Sequence, residues 1–122
     1  MKFMMLVRAA EGLPPNPALY AAIGQLAEEM AQSGRLVDMG GLAPSANGAR
    51  IRLAGGKLGV TDGPFAESKE VIGGYAILRA ASKDEALELG RRFMQVHADI
   101  LGPGHTMELE VREMDGVPEV QS

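Results

Sequence analysis

Residues 3–7 are apolar at every position, so a strand drawn through them is hydrophobic on both faces: Phe3, Met5 and Val7 on one, Met4 and Leu6 on the other. That is the pattern of a strand covered on both sides. After the breaker Glu11-Gly12-Leu13-Pro14-Pro15, Asn16 and Pro17 stand as an N-cap with proline at the first helical position. Leu19, Ile23, Leu26 and Met30 then recur at helical spacing, and Gly34 supplies a stop, which predicts a helix over about residues 17–33. Residues 36–42 form a weaker strand ending in Gly40-Gly41, and 43–48 a polar turn. Arg50-Ile51-Arg52-Leu53 alternates cleanly, Gly55-Gly56 makes a two-residue turn, and Leu58 and Val60 continue beyond it, predicting a hairpin with Arg50 and Arg52 on its solvated face.

Residues 71–80 are the strongest strand, with Gly73-Gly74 inside it marking a bulge or a close backbone approach. Ser82-Lys83-Asp84-Glu85 is a capping box, and Ala86, Gly90, Phe93 and His97 share one helical face behind it. The small side chains at 86 and 90 let that helix sit close to a sheet. Gly102-Pro103-Gly104 ends it, and Met107, Leu109 and Val111 alternate with Glu108, Glu110 and Arg112 in a last strand. Strand, helix, strand, hairpin, strand, helix, strand is the order of an α+β ferredoxin-like sandwich: an antiparallel sheet with two helices on one face. The chain reads as a single domain over residues 1–115 with a frayed tail at 116–122. Two helices cover one sheet face only, so the apolar second face calls for a homodimer burying sheet against sheet.

Composition narrows the classes. The chain has no cysteine, hence no disulfide or thiol chemistry. Its net charge is −4 with scattered cations, and tryptophan is absent, which argues against a nucleic-acid surface. Arg8 cuts the N-terminal apolar run too early for a signal peptide, and no run reaches membrane-spanning length, so a cytoplasmic location is expected. No phosphate-binding loop is present, and His97, Asp99 and His105 lack metal-ligand spacing, so neither cofactor nor metal is expected. His97 reads as a satisfied histidine on the apolar face of its helix.

Candidate chemistry concentrates in Thr61-Asp62-Gly63-Pro64-Phe65-Ala66-Glu67-Ser68-Lys69-Glu70. Gly63 and Pro64 force a turn directly after Asp62. Asp62 is either a proton-transfer carboxylate at a strand end or a turn acid spent on nearby backbone N–H groups. Phe65 reads as a plug anchoring the loop, Glu67 and Lys69 as a solvated face, and Ser68-Lys69 lacks what a nucleophile pair needs.

This central block, with Met1-Lys2-Phe3-Met4, Ile72-Gly73-Gly74-Tyr75 and Glu110-Val111-Arg112, resembles the DGPF-domain branch of the YCII-related superfamily over nearly the whole chain. The resemblance implies a ferredoxin-like fold and dimers of the dimeric α/β-barrel kind. Enzymatic relatives, one branch being a dehydrochlorinase, use a His–Asp pair in a pocket; other domains of this type occur beside extracytoplasmic-function sigma factors. Asp62 matches the aspartate, but residues 1–96 contain no histidine and Tyr20 stands on the first helix instead. Two expectations follow. One is a small-molecule site near Asp62 in a lyase- or hydrolase-like protein, with Tyr20, Phe65, Tyr75 and Arg112 as ligand contacts. The other is a non-catalytic module partnering a sigma factor. The residues leave enzymatic activity itself open.

Overall fold

The computed structural model describes residues 1–65 and 70–116. The expectations for Glu67, Ser68 and Lys69, and for the tail beyond Gly116, lie outside them. The elements run β1 (Lys2–Ala9), α1 (Pro17–Gln32), β2 (Leu36–Gly41), β3 (Ala49–Ala54), β4 (Lys57–Asp62), β5 (Val71–Arg79), α2 (Lys83–Leu101) and β6 (Met107–Glu113). Strands β2, β5, β1 and β6 form, in that order, one antiparallel four-stranded sheet. With both helices on one face this is the ferredoxin-like α+β arrangement expected. No described helix is long and apolar enough to cross a membrane.

Local chemistry sets the helix ends. The Asn16 side chain accepts the Leu19 N–H at 3.0 Å, and Pro17 opens α1. At the other end Gly34, at φ 76°, donates to Ala31 while Arg35 donates to Met30 at 2.8 Å. Those two bonds are a Schellman stop. For α2, Ser82 Oγ accepts the Glu85 N–H at 3.1 Å, and the Glu85 carboxylate reaches back to the Ala81 N–H at 3.4 Å. Glu85 also meets Arg35 at 2.8 Å, fastening the start of α2 to the exit of α1.

The core lies between helices and sheet. Met5, Leu26, Met30, Ala76, Leu78 and Leu89 form its main cluster, and Phe3, Ala80 and Ala86 continue it. Burying each large side chain contributes about 1.5–3 kcal/mol. At Gly90 α2 presses close to the sheet, since a Cβ there would stand 3.2 Å from Leu109 and 3.6 Å from Met5 and Val111. On the opposite face Met4 pairs with Ile77 and Leu6 with Tyr75, all half-buried. Both core clusters lie on the other side of the sheet.

Strands β3 and β4 form a separate two-stranded ribbon in register Ile51–Val60 and Leu53–Leu58. Gly55 and Gly56, both at positive φ, close it as a type I′ turn requires. Every residue of both strands is exposed. The hairpin is present where expected, yet it stands as an arm rather than extending the sheet.

Candidate functional site

The Gly73-Gly74 pair does both things its sequence allows. The β1–β5 register passes from Val7–Gly74 to Arg8–Ile72, leaving Gly73 as the bulged residue. A Cβ on Gly74 would come within 3.0 Å of the Gly40 carbonyl oxygen, so β2 and β5 approach closely here. Gly41 is the partner of Gly74 across the pair, and alternation puts both on the face beneath α1. Two neighbouring positions of a core face therefore carry no side chain. Above them lies a hollow of about 300 Å³, walled by Ile23, Leu26 and Met30 of α1 and by Phe93 and His97 of α2. That volume is at the small end of ligand pockets.

His97 is the one buried polar side chain among the described residues, at 8% exposure. Its ring tilts against Phe93 with centroids 4.6 Å apart, and Nδ1 lies 2.9 Å from the Phe93 carbonyl oxygen. A carbonyl only accepts, so Nδ1 carries the hydrogen, and in the neutral ring Nε2 is left as an acceptor. No buried side-chain nitrogen or oxygen among the described residues lacks a partner. Nε2 has no hydrogen-bond partner among the described residues. Two hollows meet at this residue: the one beneath α1, and a shallower, more polar groove with Arg91, His105 and Thr106. The histidine expected to be satisfied makes its hydrogen bond through Nδ1.

Tyr20 and Tyr75 both border the hollow beneath α1, although alternation along β5 puts the Tyr75 side chain on the opposite sheet face. The Tyr75 hydroxyl, however, donates to Asp38 at 2.9 Å. Its ring crosses Gly40, where a Cβ would stand 3.0 Å from Tyr75 Cε1. Hydrogen bonding to the Asp38 carboxylate, its negative charge and then desolvation push the Tyr75 phenol up from its ordinary value.

The other candidates lie elsewhere. Asp62 is exposed at the end of β4, opposite Ala49 across the ribbon, and is not among the walls of this hollow. Arg112 is on β6, exposed, 3.8 Å from Glu110, which also meets Arg8 at 3.5 Å. Phe65 is half-buried, with the Arg50 guanidinium 3.8 Å above its ring centroid, and lines a separate groove with Arg8 and Glu70.

The residues following Asp62 form a clamp. Gly63 donates to the Gly48 carbonyl at 2.9 Å, and Phe65 N–H donates to Ser45 Oγ at 3.2 Å. Glu11 accepts from the Ser45 N–H at 2.6 Å and from the Ser45 hydroxyl. These hydrogen bonds, the hydroxyl's first, lower the Glu11 carboxyl below its usual value. A Cβ on Gly63 would overlap the Ser45 carbonyl oxygen and lie 2.6 Å from its carbon. The central motif thereby ties the foot of the arm to the β1–α1 loop.

A family model of the YCII-related domain matches residues 1–115. The chain belongs to the YCII-related domain family. It is also similar to an uncharacterized protein of Rhizobium meliloti (strain 1021), 40% identical over 60 residues. That match covers 49% of this chain and 48% of the relative, so about half the length of each is compared.

Proposed function

We propose that this YCII-related domain binds a small, largely apolar molecule in the hollow beneath α1. A hydroxyl end of that molecule donates to His97 Nε2. The observation behind this is a core face emptied at Gly41 and Gly74 beside a buried imidazole whose Nδ1 is already committed. An apolar pocket with one fixed polar group is the usual make-up of a small-molecule site. An acceptor nitrogen facing a ligand hydroxyl is also the arrangement a general base needs, which leaves room for a lyase- or hydrolase-like step. The hollow replaces the neighbourhood of Asp62 as the ligand site, because Asp62 stands on the arm, outside its walls. The domain acts as a homodimer through the open sheet face.

A thermal-shift titration with 1-naphthol and with naphthalene tests this. The wild type is expected to be stabilised by 1-naphthol, by about 2.7 kcal/mol at one hundred times the dissociation constant. Gly41→Leu, whose side chain enters space with no atom within 4 Å of the Cβ, is expected to abolish the effect. His97→Leu should remove the preference for the hydroxylated probe. Stabilisation that survives Gly41→Leu, or is lost only in Asp62→Asn, overturns the proposal. A domain silent to both probes would favour the other role the family resemblance implies, a regulatory module beside an extracytoplasmic-function sigma factor.

A further inference from the structure

The two halves of α1 are held differently. Leu26 and Met30 sit in the main core cluster, Glu29 meets Arg92 at 2.7 Å, and the chain leaves the helix at Arg35, paired with Glu85. All of these lie in or beyond the second half of the helix. No residue of 17–25 is buried or belongs to either core cluster. Among the described residues, no hydrogen bond or ion pair joins that stretch to another element. Residues 11–15, which lead into it, are all exposed. Tyr20 and Ile23 of this loosely held half are nevertheless walls of the hollow.

Gly24 stands where the two halves meet. It is exposed, and a Cβ on it would meet nothing within 4 Å, so close packing does not call for glycine there. What glycine does inside a helix is loosen it. The hollow is also wet at its rim, since Tyr20 on α1 is 62% exposed and Met39 on β2 is 38% exposed. We infer that residues 17–23 are the door of the hollow, swinging about Gly24 to admit a ligand and closing with the Tyr20 ring over it. This rests on the reading that the hollow binds a small molecule, and adds how it is entered and which side chain retains the ligand. Ligand contacts with Tyr20 and Ile23 are complete only in the closed state, so binding shifts the population toward it. The second half of α1 stays on the core throughout.

Hydrogen exchange and stopped-flow binding of 1-naphthol test the door. In ligand-free protein the amides of 21–25 are expected to exchange about 100-fold faster than those of 28–32. Saturating 1-naphthol should slow the first group by at least about 10-fold. Gly24→Ala adds a methyl in open space and strengthens the helix at the hinge, so association and dissociation should both slow about 4-fold, leaving the dissociation constant nearly unchanged. Tyr20→Ala should speed dissociation about 10-fold. Even protection along α1 overturns the door, because the helix is then one rigid piece. A fast first half that ignores bound 1-naphthol also overturns it, as an ordinary frayed end. Unchanged rates in Gly24→Ala do the same while leaving the hollow as the binding site. Absence of any 1-naphthol binding removes the reading of the hollow and the door with it.

Discussion

Gly63→Ala is the sharpest perturbation of the central motif. The added methyl overlaps the Ser45 carbonyl oxygen, lies 2.6 Å from the Ser45 carbon and 3.3 Å from the Ala46 nitrogen. All three are backbone atoms, so no rotamer change relieves the overlap, and the turn at 45–47 must move away from the foot of β4. Moving it breaks the Gly63–Gly48 and Phe65–Ser45 hydrogen bonds and disturbs the Glu11–Ser45 pair. At about 1 kcal/mol for each, the loss is about 3 kcal/mol. The arm's foot lies outside the core clusters, so the loss appears as local opening. Hydrogen exchange should then speed up by roughly 100-fold at the Asn47 and Gly48 amides, with the Leu78 amide nearly unchanged. Gly48→Ala is the control, because its Cβ stands 3.4 Å from the Ser45 oxygen, an ordinary contact. Equal, small effects for the two variants would refute the clamp and return the motif to a chemical role.

Further outcomes concern single groups. Asn16→Ala should cost about 1 kcal/mol in urea unfolding, because the Leu19 N–H loses its cap. The Glu11 carboxyl is held low in the fold, so its contribution is present above its unfolded value and lost as pH falls through the folded one. A thermal melt series should therefore show wild type and Glu11→Gln converging in acid. Tyr75 has the opposite sign: its raised phenol favours the fold below the ordinary tyrosine value and ceases to as pH rises through the folded one. Tyr75→Phe should thus flatten the alkaline loss of melting temperature.

What was legible in the sequence was what is local. Asn16-Pro17, Gly34 and the Ser82–Glu85 box act over three or four residues, so the helix ends could be read directly. Gly55-Gly56 announced the hairpin in the same way. Alternation showed which arm residues share a face, but not that the body would leave that face uncovered. The hollow was hidden for a different reason. It needs Gly41 and Gly74 to become neighbours, which happens only once β2 pairs with β5. Helical spacing put His97 on the buried side, while its place in the wall of the hollow depends on how α1 and α2 lie over that glycine pair. Gly63 shows the same limit: its proline neighbour predicted a turn, but its steric requirement comes from Ser45, distant in the chain.

The most direct measurement is an NMR titration of uniformly labelled protein with 1-naphthol. The binding account predicts that shift changes concentrate at the Gly40, Gly41, Gly73 and Gly74 amides and at the His97 ring, and vanish in Gly41→Leu. Changes centred on Asp62 and Phe65, or no saturable change at all, would contradict it.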